Sequence, residues 1–380
     1  MKVNLLFILS GFHHGGTNKS LQNMLSLLDE TNYNYHIFTT NKTDIYKNVF
    51  SKYDIIECPK ILYKLCNSRC FIIRAIRYID SLLNNIIYNS LIKHTIKNIE
   101  RSYSINKVIA FEEGKPKQIA QFFNCTKIAW VHCDYALYNK LFVPNLEKEL
   151  EIYSKFNDII CVSKYTAESF KKIFPNISNK VEYIYNLLDI TTINILSNEY
   201  IEYNESFFKI VSIGRLVEVK QFEKIPHIVS QILKYGNCKK FKWFIIGDGN
   251  QNIKDFIDNE IKKYNLNNIV IRLGAKDNPY PYIKKSNLLV STSSSEACPY
   301  VVNEAKILKT PVIISNFGSS YELVNENNGI ISSIEKMPLL LYKVINNIDG
   351  IYDKMQSNAN NVTYDNDTIL KQLNALFQKI

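Results

Sequence analysis

The chain has 380 residues, 46% of them hydrophobic and 22% charged, with a formal net charge of +10. That length can bury two cores, and no apolar run reaches the roughly 18 residues that span a bilayer, so an integral membrane protein is set aside. The eight cysteines form no Cys-x-x-Cys pair, which argues against thiolate metal sites and for a reduced, cytoplasmic compartment.

Short apolar runs alternate with helical stretches along the whole chain, the signature of α/β layers with parallel strands. The first run, 3–9, reads as a buried strand rather than a signal sequence, because one early lysine and Gly-His-His-Gly-Gly make poor flanks for cleavage. The loop after it, 11–20, carries Gly15 and Gly16, which let a backbone approach a ligand closely, and His13 and His14. It is neither a P-loop nor a Gly-x-Gly-x-x-Gly fingerprint. Further strands are expected at 35–39, 107–111, 127–131, 158–162 and 181–185. From 50 to 110, ten basic residues stand against four acidic ones. This segment also holds the apolar runs Cys70–Ile73 and Ile86–Tyr88, a combination that suits an anionic membrane surface. Cys66 and Cys70, four apart, read as helix packing. No nucleic-acid motif accompanies the basic residues.

The strand 127–131 ends in His132-Cys133-Asp134, so His132 is expected at a strand's carboxyl end, where α/β sheets bind ligands. No carboxylate in this half stands out as a general base. Residues 191–206 are polar and weakly periodic and read as a linker between a first domain, 1–190, and a second, 207–360. The second domain begins with a strand at 207–213 and continues with strands at 242–246, 269–272, 287–290 and 311–314. After its first strand come Arg215 and Lys220, a pair able to grip phosphate oxygens. Gly247 and Gly274 follow the next two strands. Beyond 287–290 comes Ser295-Glu296-Ala297-Cys298-Pro299, then a helix over 300–308. Proline suits a first helical position, and the N–H groups of Tyr300, Val301 and Val302 would form an anion site. Glu304 lies one turn into that helix. The last helix, 367–380, is amphipathic. Asp365 and Asp367 read as its cap rather than as a metal motif, so no metal is expected.

The unit Glu296-x7-Glu304, with Pro299 and Ala305, resembles the signature of the family-4 retaining glycosyltransferases of group 1 type, which serve bacterial surface polysaccharide synthesis. Ala297 and Cys298 stand where that family has Gly and Phe. Gly15-Gly16, His132, Val162-Ser163-Lys164 with Phe170, Asn186-Leu-Leu-Asp189, Arg215-x4-Lys220, Gly247-Asp-Gly249, Ile271-Arg-Leu-Gly274 and Phe317-Gly318-Ser319 with Glu322 extend the resemblance in order. It implies a GT-B fold, two Rossmann-like domains facing across a cleft, with the last helix (361–380) returning to the first domain. It implies a nucleotide-diphosphate-sugar donor, UDP-linked by preference, and no metal. Arg215 and Lys220 would hold the diphosphate, with Gly15, Gly16, Gly247, Gly274, Pro299, Tyr300 and Val301 about the donor. Glu304 would take the ribose, Glu296 the donor sugar, and His132 would line the reaction centre. The acceptor would be a saccharide, lipid-linked at the inner face of the membrane. A related epimerase or phosphorylase, or a non-catalytic assembly scaffold, are the alternative readings.

Overall fold

A computed structural model describes residues 2–12, 15–41, 47–59, 86–203 and 206–379. His13, His14, Cys66 and Cys70, the run Cys70–Ile73 and five of the basic residues of 50–110 lie outside them. The chain divides into two compact units, Met1–Leu187 with Asn366–Ile380, and Leu188–Asp365.

In the first unit the elements run β1 (Val3–Leu9), α1 (Gly16–Leu27), β2 (Tyr33–Thr39), β3 (Asp54–Glu57), α2 (Ile86–Tyr103), β4 (Lys107–Ala110), α3 (Lys115–Ala120), β5 (Thr126–Val131), α4 (Tyr135–Phe142), α5 (Leu146–Ser154), β6 (Asp158–Cys161), α6 (Lys164–Ile173) and β7 (Val181–Tyr183). The strands form one parallel sheet in the order β3-β2-β1-β4-β5-β6-β7. Their aliphatic runs, such as Leu5 to Leu9, are fully buried. Helices therefore cover both faces, as a parallel sheet requires. On one face α2, α3, α5 and α6 bury Ile92, Ile96, Ile119, Ile152, Tyr153 and Phe170 in one cluster. On the other the C-terminal helix, Asn366–Gln378, packs Phe377 against Phe7, Tyr33 and Trp130. Asp367 lies in its first turn.

The second unit runs α7 (Ile190–Leu196), β8 (Phe208–Ile213), α8 (Ile225–Ile232), β9 (Phe241–Ile246), α9 (Gln251–Lys263), β10 (Val270–Gly274), α10 (Tyr280–Lys284), β11 (Leu288–Ser291), α11 (Tyr300–Ile307), β12 (Val312–Ser315), α12 (Ser320–Leu323), β13 (Ile330–Ser332), α13 (Met337–Ile345) and α14 (Ile351–Asn360). Its parallel sheet has the order β10-β9-β8-β11-β12-β13. Its core joins Ile210, Trp243, Ile245, Leu288 and Ile313 with Ile228, Ile257 and Leu341.

Each sheet reverses its strand order once, between β1 and β4 and between β8 and β11. Such a switch point opens a crevice at the carboxyl ends of the strands, where ligands of open α/β sheets bind. Three features differ from the sequence reading. The edge strands β3 and β13 were not anticipated. The stretch read as a linker, 191–206, opens inside α7, whose cap Asp189 accepts from Thr192 N–H at 2.9 Å. Pro299 is the N-cap of α11, with ψ 119°, one position before the first helical residue.

Candidate active site

The switch point of the second unit is built by the turns after β8 and β11. The β8 turn continues the ladder to β9 beyond the strand ends. Gly214 N–H donates to Ile246 O at 3.0 Å, Leu216 N–H to Asp248 O at 2.9 Å, and Asn250 N–H to Leu216 O at 2.8 Å. This approach requires Gly247, whose φ is +145° and at which a Cβ would lie 1.9 Å from Gly214 O. Gly247 N–H in turn donates to Gly274 O at 2.9 Å. Arg215 is thus carried on a braced backbone, while its side chain is exposed and makes no ion pair among the described residues.

The β11 turn braces the same loop from the other side. Ser294 N–H donates to Val219 O at 2.8 Å and Thr292 Oγ1 to Lys220 O at 2.8 Å. Lys220 Nζ then pairs with Glu296 Oε1. Ser293 Oγ donates to that same oxygen at 2.7 Å, and Ser319 Oγ, from the turn after β12, donates to Glu296 O at 2.8 Å. Glu296 is fixed at both its carboxylate and its backbone. Tyr300 and Val301 form the first helical turn, behind the cap Pro299, and Glu304 is buried, 3% exposed, on the same helix. The sequence-predicted Arg215, Lys220, Gly247, Glu296, Pro299, Tyr300, Val301 and Glu304 all belong to the carboxyl-edge turns or the helix they lead into, and Gly274 is the last residue of β10. Lys220 and Glu296, 76 residues apart, are in direct contact. Ser293 was not singled out in the sequence, whereas Ser319 belongs to the Phe317-Gly318-Ser319 element noted there.

In the first unit the corresponding edge holds Gly15 at the N-cap of α1, with Gly16 its first residue. His132 follows β5. Its ring lies 4.8 Å from that of Phe111, and its Nε2 is buried without a hydrogen-bond partner. Burial pushes its imidazole down to about 3, so the ring is neutral. Two carboxylates missed in the sequence lie on the turn after β4. Glu113 accepts the N–H groups of His132 (2.6 Å) and Cys133 (3.1 Å), which holds the His132 turn. Glu112 accepts Ser10 N–H at 3.0 Å across the β1–β4 switch point, and burial raises its carboxyl above the usual range. Single carboxylates after a strand carry no spacing signal, so only the sheet order reveals them.

Two smaller sequence matches have local roles. Ser163 caps α6 in a reciprocal box with Thr166. Asn186 accepts from Ser20 Oγ at 2.8 Å, and Leu187 O accepts from Asn23 at 2.9 Å, which fastens the end of the first unit to α1. Among the described residues no group of three or more His, Cys, Asp or Glu is arranged to hold a metal ion.

Residues 198–345 match the family model for glycosyl transferases group 1. Those residues contain Arg215, Lys220, Glu296 and Glu304 but not His132 or the Gly15–Gly16 loop. An uncharacterized glycosyltransferase of Methanocaldococcus jannaschii is 32% identical over 60% of this chain and 63% of its own length. An N-acetylgalactosaminyltransferase of Campylobacter jejuni, named for a diphospho-undecaprenol-linked acceptor, is 28% identical over 47% of this chain and 50% of its own length. The chain thus spans less than two thirds of these curated relatives. Among solved structures, HepE of Anabaena in complex with UDP and glucose superposes with a TM-score of 0.75 at 16% identity, covering 99% of both chains. TarM of S. aureus, in complex with UDP among other ligands, gives 0.72 at 16% identity and covers 100% of both. The two parallel sheets are those of the GT-B fold, and residues 198–345, within the second unit, are similar to the group 1 glycosyl transferases.

Proposed function

We propose that the protein is a retaining, metal-independent glycosyltransferase that moves a sugar from a UDP-sugar to a saccharide acceptor carried on a lipid diphosphate. The observation that carries the reading is the contact of Lys220 with Glu296 at the switch point of the second unit. A cation suited to a diphosphate and a carboxylate suited to sugar hydroxyls are held there side by side. UDP in the HepE and TarM complexes and the undecaprenol diphosphate in the Campylobacter relative's name support the donor and acceptor classes.

Breaking the sugar–phosphate bond places negative charge on the departing diphosphate. Arg215 and Lys220, fixed on a braced loop, offset that charge without reorganising. The first-turn N–H groups of α11 add partial positive charge. Glu296 orients the donor sugar and Glu304 the ribose. In a retaining transfer the leaving phosphate receives the acceptor's proton on the same face. The first unit presents the acceptor: His132, neutral, offers a hydrogen bond rather than a charge, and Glu112 orients the acceptor hydroxyl. No helix among the described residues is long and apolar enough to cross a membrane. Our reading places the protein at the inner membrane surface, reached from the cytoplasm.

The test is a thermal-shift screen against UDP-, GDP-, ADP- and dTDP-sugars in EDTA. Donor at about 100 times its dissociation constant stabilises a protein by roughly 2.7 kcal/mol. A shift with UDP-sugars that disappears in Arg215→Ala is expected. A shift seen only after magnesium or manganese is added would overturn the metal-independent reading.

A further inference from the structure

Helix α4 has its amphipathic character reversed. Its exposed residues are Leu137, Lys140, Leu141 and Phe142, and Leu141 and Phe142 are 64% and 67% exposed. Leu146, which opens α5, is 42% exposed. The span 137–146 contains one charge, Lys140. The inner side, by contrast, is fastened. Tyr135 is fully buried and donates to Glu149 at 2.7 Å, and Glu149 pairs with the buried Lys117 of α3. The apolar residues therefore face outward on a firmly anchored element. Single exposed leucines need no explanation, but contiguous ones mark an interaction surface.

The position of this surface is informative. Helix α4 begins three residues after His132 and α5 runs back toward β6, so the apolar shelf lies at the carboxyl edge of the sheet, beside the acceptor-side residues. Helix α2 packs on the same face of the sheet, in the same core cluster as Tyr135 and Ile152. Its outward residues include Lys93, Lys97 and Arg101, and none of its exposed residues is acidic. Apolar side chains on the same face of the sheet as a basic helix complement an anionic bilayer: the side chains enter the acyl boundary and the cations meet the headgroups.

We infer that the outer face of α4, with Leu146, is the membrane-docking surface of this protein, seated on anionic lipid and assisted by Lys93 and Lys97. This rests on the lipid-linked acceptor reading and deepens it: a protein docked here has its acceptor-side edge at the bilayer surface, where a lipid diphosphate presents its sugar. The surface differs from the one expected in the sequence, since its apolar part lies outside 50–110.

The experiment is co-sedimentation of the full chain with vesicles of phosphatidylcholine alone or with one-third phosphatidylglycerol, at low and high salt. The wild type is expected to sediment with the anionic vesicles. Leu141→Ser with Phe142→Ser should weaken binding more than about tenfold, through lost apolar burial. Lys93→Gln with Lys97→Gln should weaken it about fivefold per lysine and flatten the salt dependence. UDP-sugar thermal shifts and cooperative melting should be unchanged in both, so failure of docking and failure of the donor reading are separable. Sedimentation unaffected by the Leu141/Phe142 pair, or no sedimentation of a cooperatively melting wild type, would overturn the inference. So would a wild-type dimer that the same pair dissolves, because the face would then be a contact between two copies.

Discussion

Lys220 Nζ and Ser293 Oγ both reach Oε1 of Glu296, which leaves Oε2 for another donor. The carboxylate is therefore oriented by two partners from different turns and retains one oxygen for a hydroxyl. Lys220 supports Glu296 in this arrangement, and in the proposed reading it is also a cation for the diphosphate. Replacing either residue should have separable effects. Lys220→Met is expected to weaken UDP binding and to lower kcat/KM by about 10²–10³, the range seen when a preorganised group is removed. Glu296→Gln keeps the Ser293 contact and the shape of the turn. It should leave UDP affinity within about threefold while turnover of the UDP-sugar falls by a similar 10²–10³. Calorimetry with UDP and steady-state kinetics distinguish the two. Equal loss of UDP affinity in both variants would refute the division of roles.

Gly247 holds the turn that carries Arg215 in place through the close approach of Gly214. With a Cβ only 1.9 Å from Gly214 O and a φ of +145°, Gly247→Ala must push the β8 and β9 turns apart. A stability loss of about 3 kcal/mol or more is expected, combining overpacking with backbone strain. Gly274→Ala, at φ +70° with open space around the new methyl, should cost only the strain of roughly 1–2 kcal/mol. Gly15→Ala has extended backbone and nothing within 4 Å, so it should stay within about 0.5 kcal/mol of wild type. Urea denaturation of the three variants gives the order.

The buried strands were legible in the sequence because parallel strands covered on both faces are uninterrupted aliphatic runs. Val3–Leu9, Lys107 and its neighbours, and Val312–Ser315 needed no other signal. β3 and β13 were not legible. Asp54-Ile-Ile-Glu57 and Ile330-Ile-Ser332 are short edge strands, only partly buried, and their form comes from pairing with β2 and β12. Arg215, Lys220, Glu296 and Glu304 were legible as a pattern of charge after strands. Their supports were not, because Ser293 lies in a run of serines that look alike in sequence, and only the fold aims one at Glu296. Likewise nothing in Phe111-Glu-Glu113 distinguishes a carboxylate at the switch point until β4 is placed beside β1 and β5.

Glu112 pairs a stability cost with a proposed use. Burial raises its carboxyl pKa in the folded state, so the folded protein binds more protons than the unfolded chain as pH rises from the usual carboxylate range. Stability from this group therefore falls as pH rises through that window. Glu112→Gln keeps an oxygen for Ser10 N–H and removes the buried charge. It is expected to be more stable than wild type at neutral pH, by about 1 kcal/mol, and no more stable at pH 4, while UDP binding is unchanged and transfer to acceptor is impaired. Chemical denaturation at the two pH values and an acceptor-transfer assay test both halves. Unimpaired transfer would remove Glu112 from the acceptor site.

Lys306 gives the opposite sign at the alkaline end. It lies on α11, 8% exposed, with Leu323 O accepting from its Nζ, and burial pushes its pKa down to about 8. Between about 8 and the ordinary lysine value near 10.4, the unfolded chain binds the proton and the folded protein does not. Wild-type stability attributable to Lys306 should therefore rise with pH across that window, by up to about 1.4 kcal/mol per unit. Below pH 8 the charge is buried with one carbonyl partner, and a methionine of similar length removes that cost while leaving Leu323 O without its donor, worth about 1 kcal/mol. Lys306→Met is expected to be more stable than wild type by about 1–2 kcal/mol at pH 7, and the advantage should shrink and disappear toward pH 10. The difference between the two proteins at each pH isolates Lys306 from the tyrosines and thiols that titrate in the same range. A difference independent of pH would mean that Lys306 keeps its ordinary affinity for the proton in the folded protein.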